Sequence, residues 1–471
     1  MKPQLIIPLL ISLSYLSCEQ TTTSQKPNIV LINIDDMGWK DLGFMGSEYY
    51  ETPNLDRLSK LGMTFSNGYA SAANCAPSRA SLMTGRWATR HGIYTVQSSE
   101  RGKSKDRKLI PIKNTTTLSS KYKVFPEILN EIGYATCHSG KWHLSDTPLS
   151  FGFDINIGGG HNGHPSSYYP PYKNVSVTDG KSEYLTDLIM EKTLEFIDTV
   201  STPFFLNYSP YAVHTPIQPV PGLLPKYESK PSSNGQINPK YASMIENLDR
   251  NIGLLISGLE KRNLLNTTLI IFTSDNGGLY GITKQHPLRA GKGSYYEGGI
   301  RVPYFLIWPG RIPANAQSET PITNLDIFPT ILESVQVEYA KYSLDGASLW
   351  PILNQSRPEF NRKLYWHFPI YLQAYKPTDN ENRDPLFRTR PGSVLRYGKW
   401  KLHYYFENNE MELYDLCDDI GERNNLVLEE PAKSAEMLKY LQDWWKKTNA
   451  PIPVDLNPDY EQQSEKIPIN P

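Results

Sequence analysis

The chain has 471 residues and a formal net charge of −1, with 48 basic side chains set against 49 acidic ones. That length supports a large core and, by size, two domains, while the near balance of charge excludes nucleic acid as an electrostatic partner and leaves no acidic tail. Four cysteines in so long a chain provide no disulfide framework, so stability must come from buried apolar surface.

Lys2 precedes an apolar run over residues 5–16 that is too short to span a bilayer and reads as the core of a secretory signal. The run ends at Leu16-Ser17-Cys18 and gives way to a Thr/Ser/Gln linker, so residues 1–18 read as signal and 19–27 as linker. The pattern resembles a bacterial lipoprotein signal, with Cys18 lipidated and the mature protein exported to the periplasm or cell surface. That anchor would be the only contact with a membrane. Tyr15 stands where such signals usually carry leucine, which leaves ordinary cleavage and secretion open as well. The sequons at Asn114 and Asn266 are incidental on the lipoprotein reading.

Residues 28–34 (NIVLINI) form a short continuous apolar run, as expected of a parallel strand buried on both faces, and lead straight into Asp35-Asp36. A helix is expected over 54–61 with Thr52 and Pro53 as cap and N1, and another over 124–132 ending at Gly133. A strand at 134–137 leads to Lys141 and His143, and one at 204–206 leads to His214. Helices are expected at 183–200 and 241–264. A strand at 269–272 (LIIF) then ends in Thr273-Ser274-Asp275-Asn276 and a Gly-Gly turn. Strands alternating with helices argue a doubly wound α/β sheet, whose chemistry collects beyond the carboxyl ends of its strands.

After a helix over 326–335 the pattern changes to strands at 392–397, 400–406 and 412–416, followed by a helix at 431–447 and an extended tail from Pro451. The expected organisation is therefore a catalytic α/β domain over 28–355 and a smaller antiparallel domain over 356–471.

Asp35, Asp36, Asp275 and Asn276 offer only oxygen ligands, a set suited to a hard divalent cation, although adjacent aspartates after a strand can equally be a turn or helix cap. In CAPSRASLMTGR (75–86), Pro77 suits a helix N1 position and residues 80–84 a short helix before Gly85, which sets Cys75 near the positive end of a helix dipole. The plainer reading of Cys75 is a buried thiol near a turn. Lys141 and Lys292 follow glycines, which suggests backbone approaching a ligand, whereas most lysines are solvated surface groups.

The Cys-x-Pro-x-Arg motif at Cys75, Pro77 and Arg79, with Thr84-Gly85-Arg86 after it, resembles the signature of type I sulfatases, arylsulfatase-like members of the alkaline phosphatase superfamily. The same family's pattern is matched by Asp35-Asp36, by SDNGG at 274–278, GKWHL at 140–144, HTP at 214–216 and LRAGKGSYYEGGIRVP at 288–303, covering most of residues 28–350. The resemblance implies an alkaline phosphatase-like fold: a large, mostly parallel mixed sheet flanked by helices, with a smaller C-terminal antiparallel sheet and helix. It also implies that Cys75 is oxidised to Cα-formylglycine by an oxygen-dependent formylglycine-generating enzyme, and that one calcium ion is held by Asp35, Asp36, Asp275, Asn276 and the modified Cys75.

Roles follow from the same resemblance. Arg79 and calcium would orient and acidify the formylglycine hydrate that attacks sulfur. Lys141 and Lys292 would clamp sulfate oxygens, His214 would protonate the leaving alcohol, and His143 would take the proton whose loss expels sulfate and restores the aldehyde. Calcium with Arg79, Lys141 and Lys292 carries five positive charges against three on Asp35, Asp36 and Asp275, an excess suited to a sulfate ester.

The expected substrate is a sulfated carbohydrate, cleaved exo-wise from an oligosaccharide of ulvan, a sulfated galactan or a glycosaminoglycan. The glycine-rich segment 152–172, with His161, His164 and several tyrosines, reads equally as a sugar-binding wall or as a surface loop. In the second domain Trp366, His367, Arg388 and Arg390 are candidates to reach the cleft, with His367 and Arg388 the favoured pair. A phosphonate or phosphate ester hydrolase of the same superfamily is the nearest competing reading, and a catalytically silent glycan-binding protein the next.

Overall fold

The computed structural model describes residues 26–462 except 178–179, 202, 358–360 and 376–380. The signal segment and Cys18 lie outside the described residues. Asn28–Ile34 forms a strand with every residue buried, and sits inside an eight-stranded sheet. The strand order is Ile155–Ile157, Ala135–Gly140, Phe204–Ser209, Asn28–Ile34, Thr268–Ser274, Phe305–Ile307, Met63–Phe65 and Ala316–Ser318. The first five are parallel, with Asn28 in register with Thr268 and Ile34 with Ser274. Phe305–Ile307 runs antiparallel to both of its neighbours.

Alternate residues of the central strands feed two cores. Val30, Ile32 and Ile34 pack with the helices Leu185–Thr199 and Pro239–Lys261, and Ile29 and Leu31 pack with Phe125–Glu131 and Ile327–Ser334. The result is a three-layer sandwich of the alkaline phosphatase type. Two strands run past the ends expected at Cys137 and Leu206, to Gly140 and Ser209. Several of their buried polar side chains find partners, Asn207 Nδ2 with His138 Nδ1 at 2.9 Å and Ser139 Oγ with Thr193 Oγ1 at 2.7 Å, which offsets the cost of burying them.

The second sheet is antiparallel in the order Lys363–Phe368, Gly392–Tyr397, Trp400–Tyr405, Glu410–Asp415. One face packs Leu395, Leu402 and Leu413 against Met437, Leu441 and Trp444 of the helix Pro431–Thr448. The other packs Trp366, Phe368 and Val394 against Tyr69, Tyr295 and Ile300, so the small sheet buttresses the 288–303 block that carries Lys292. A buried ion cluster crosses the same seam, with Lys401 Nζ 2.8 Å from Glu297 and 2.9 Å from Glu422. Cys75 and Cys137 are buried, Cys417 is exposed, and all three are unpaired. Among the described residues no helix is long and apolar enough to cross a membrane.

Candidate active site

Four parallel strands end at one edge and deliver the polar residues that follow them: Asp35 and Asp36 after Ile34, Lys141 and His143 after Gly140, His214 beyond Ser209, and Asp275 and Asn276 after Ser274. The turn after Gly140 has no room for a side chain. Gly140 has φ +100°, and an added Cβ would lie 2.1 Å from the Ser209 carbonyl oxygen. A Gly140→Ala variant should therefore lose about 2 kcal/mol or more of stability, read from urea unfolding. An unchanged midpoint would show that the turn relaxes freely.

The helix Cys75–Thr84 enters this edge with all ten residues buried. It starts two residues earlier than Pro77 at N1 would require, so Pro77 is the third residue of the helix. Proline is accommodated there because the first four helical N–H groups lack intrahelical partners anyway, and the first helical bond runs from Ser78 N to Asn74 O at 3.2 Å. Cys75 thus occupies the first turn, at the positive end of the dipole, and Gly85 closes the helix in the left-handed region.

Around Cys75 three buried carboxylates meet three buried cations. Lys141 Nζ lies 2.8 Å from both oxygens of Asp35, Arg79 Nε donates to Asp275 Oδ2 at 2.8 Å, and Lys292 Nζ donates to Asp36 at 2.7 Å. Arg79 also donates to the Lys141 carbonyl at 2.9 Å, tying the helix to the strand edge. Asp36 and His143 hold positive φ values of 58° and 64°, a sparsely populated conformation for such residues and one that clusters at functional sites.

The electrostatics follow from this packing. Burial alone would raise the Cys75 thiol, but Lys141 and Lys292 outweigh it and hold the group at about 6. Burial, then Lys141 and Arg79, push the His143 ring well below its ordinary value, so it stands neutral. For His214, burial and Lys292 act downward while Asp36 and Asp35 act upward and prevail. Its Nδ1 faces the Thr215 carbonyl at 2.8 Å, and its Nε2 lies 3.0 Å from Lys292 Nζ and 3.5 Å from Asp36. Protonation at Nε2 is thus set by the rivalry between that ammonium and that carboxylate.

The carboxylates at this edge suit a hard divalent cation. An oxygen of Asp35, an oxygen of Asp36, the Cys75 sulfur and a ring nitrogen of His214 lie within 4.8 Å of one another. Asn276 bears on the same point: its Nδ2 donates to Asp36 at 2.8 Å and to the Gly277 carbonyl at 2.9 Å, while its buried Oδ1 has no hydrogen-bond partner. A buried amide oxygen with no hydrogen-bond partner, on a side chain that donates to Asp36, fits the part of an oxygen ligand to a cation.

Cys75, His143, His214 and Lys292 open into a cleft of about 1130 Å³. His161 and His164 line it, and the His164 ring stacks on His214 at 5.7 Å between centroids. Part of the glycine-rich segment is therefore wall: His143 N donates to the Gly160 carbonyl at 2.9 Å, and a Cβ at Gly163 would strike the His143 ring at 2.4 Å. Tyr168 is instead buried, its hydroxyl donating to the Tyr211 and His214 carbonyls.

Arg388 reaches the cleft, donating to the Lys292 carbonyl at 3.1 Å. His367 does not. Side chains alternate along Lys363–Phe368, so Trp366 and Phe368 face the catalytic half while His367 turns toward the terminal helix. Its ring is held by Ser393 Oγ at 2.8 Å and the Pro451 carbonyl at 3.0 Å, and burial pushes it down to about 4. Trp366 is buried with its indole on the Ala70 carbonyl, and Arg390 pairs with Asp384 and Glu407. Sequence reading missed residues 97–116, which carry Arg101 and Lys113 into the cleft lining. Their only signal was a lack of secondary structure next to the Cys75 helix.

Comparison with known proteins agrees with this geometry. The Sulfatase family model matches residues 27–337, and a model for the N-sulphoglucosamine sulphohydrolase C-terminal region matches residues 291–449. A sulfatase of Formosa agariphila is 31% identical, covering 98% of this chain and 95% of its own. The N-acetylgalactosamine-6-sulfatase of Rattus norvegicus is 32% identical, covering 79% of this chain and 74% of its own. The crystal structure of Ps i-CgsB in complex with k-i-k-neocarrahexaose aligns with a TM-score of 0.73 at 30% identity, over 93% of this chain and 94% of that one. With a family model spanning the whole edge just described and a relative alignable end to end, this chain belongs to the sulfatase family and is a sulfuric ester hydrolase.

Proposed function

We propose that this protein removes sulfate from a carbohydrate, acting on chain ends released from a sulfated polysaccharide, with a formylglycine made from Cys75 and one calcium ion. The observation that carries the reading is the meeting of Cys75 with His143, His214 and Lys292 in one cleft, with the Asp35 and Asp36 carboxylates close to the same sulfur. A 6-sulfatase of an amino sugar among the relatives, and a structural neighbour bound to an oligosaccharide, support a sugar as the alcohol. Export to the periplasm or surface, and a lipid on Cys18, belong to the same proposal and rest on the leader sequence.

Asp35, Asp36, Asp275, Asn276 and the modified Cys75 would hold the cation, which when bound polarises the nucleophile and neutralises the three carboxylates. The chain's own residues do the rest. Lys141 and Lys292, both buried and paired with Asp35 and Asp36, would hold sulfate oxygens and stabilise the charge that builds on them. Arg79, fixed by Asp275 and the Lys141 carbonyl, orients the Cys75 side chain. His214 Nε2 delivers a proton to the departing sugar oxygen, and neutral His143 accepts the one released when sulfate leaves.

His214→Ala should lower turnover of a sugar sulfate by about a hundredfold or more while 4-nitrophenyl sulfate, whose leaving group needs no proton, falls far less. Equal losses on both would remove His214 from the acid role. Parallel assays on aryl sulfate, phosphate and phosphodiester test the ester itself; a preference for phosphorus would favour the competing hydrolase.

A further inference from the structure

Beyond the reaction centre, the cleft lining carries three more cations, Arg101, Lys113 and Arg388, and one carboxylate, Glu100. Glu100 is shared with Arg107, at 3.9 Å. Arg388 is buried and spends its donors on backbone: Nε on the Gln373 carbonyl at 3.0 Å and Nη1 on the Lys292 carbonyl at 3.1 Å. No carboxylate pairs with Arg101, Lys113 or Arg388 among the described residues. Arg101, Lys113 and Arg388 line the same cleft, and burial, with a smaller contribution from Arg101, holds the Arg388 guanidinium below its ordinary value.

The backbone that presents these cations is locked. Arg107 clamps the turn around Arg101 by donating to the Glu100 and Gly102 carbonyls at 3.0 and 2.7 Å. The C-terminal tail ties down the adjoining strap: Ile110 N donates to Asp455 O, Asn457 N to Lys108 O and Glu461 N to Lys105 O, each at 2.9 Å. Next to Lys113, the Asn114 side chain accepts from Tyr94 N at 2.7 Å and donates to the Thr95 carbonyl at 3.0 Å. Beside Arg388 the Tyr375 ring stacks on the guanidinium at 3.7 Å and is 58% exposed, a flat face at the cleft margin.

Pinned backbone and cations with no carboxylate partner together suit an anionic ligand. We propose that Arg101, Lys113 and Arg388 form a second anion-binding site, which takes a sulfate or carboxylate on the sugar next to the one being desulfated. Arg388 sets the spacing. It binds the carbonyl of Lys292, whose ammonium serves the reaction centre, so the two sites are separated by about one lysine side chain. The substrate class is accordingly a multiply anionic oligosaccharide. This assignment rests on the carbohydrate reading but can fail separately from it.

The test uses the full-length protein with 4-nitrophenyl sulfate as reporter and three competitors: sucrose octasulfate, trigalacturonate and inorganic sulfate. Arg101→Ala and Lys113→Ala should each weaken inhibition by at least one polyanion roughly tenfold, and the double variant about a hundredfold. Inhibition by inorganic sulfate and the reporter's own kcat/KM, which also verifies folding, should stay as in the parent. Which polyanion responds tells sulfate from carboxylate, and its inhibition should weaken with added salt. Parent-like inhibition by both polyanions in the double variant overturns the site. Failure to desulfate any sugar, with the charge dependence intact, instead overturns the carbohydrate reading alone.

Discussion

Cys75→Ala should reduce sulfatase activity by at least about a thousandfold, the scale expected when a covalent nucleophile is lost, without unfolding the protein. The side chain is small and the helix it starts is held by Arg79, whose bonds to Asp275 and the Lys141 carbonyl do not involve Cys75. In the active parent, mass spectrometry of the peptide containing residue 75 should show aldehyde in place of thiol, and activity across preparations should follow the fraction converted. Cys75→Ser should be as inactive as the alanine variant, because the oxygen-dependent converting enzyme acts on a thiol. Substantial activity in Cys75→Ala, or full activity with an unmodified thiol, would remove the nucleophile from the account.

Exhaustive chelation should cost about a thousandfold in turnover, a Lewis acid's several kcal/mol of transition-state stabilisation, and added calcium should restore it. The fold should survive. Without the ion the three carboxylates pair with Lys141, Lys292 and Arg79, so no buried charge is left unpaired. On the proposed roles, Lys141 and Lys292, paired with Asp35 and Asp36, would then hold sulfate less well. Elemental analysis of the active protein should give one calcium per chain, and Asp275→Asn should weaken both metal retention and turnover. Undiminished activity in metal-free protein would contradict this assignment.

The parallel sheet was legible because its strands are continuous apolar runs, and the residues just past them could be read as one edge once the α/β pattern was recognised. Asn28–Ile34 is the clearest case. Short strands such as Met63–Phe65 and Ala316–Ser318 were not legible, since three residues carry no periodicity and their pairing depends on partners far along the chain. His367 was misread for a related reason. Proximity in sequence to the small sheet says nothing about which face a residue takes, and a shift of one position in a strand moves a side chain from one face of the sheet to the other. Arg101 and Lys113 were invisible because an irregular segment has no pattern of its own. Their place is fixed by hydrogen bonds to a tail some 350 residues further on, as between Ile110 and Asp455.

The most direct test of the whole account is sulfate release by purified protein, co-expressed with a formylglycine-generating enzyme, from sulfated monosaccharides and oligosaccharides, with the matching phosphate esters alongside. The account predicts free sulfate together with a desulfated, otherwise intact sugar, and little phosphate. Release of phosphate in preference to sulfate, or binding of the sugars with no sulfate released by fully converted, calcium-loaded protein, would contradict it.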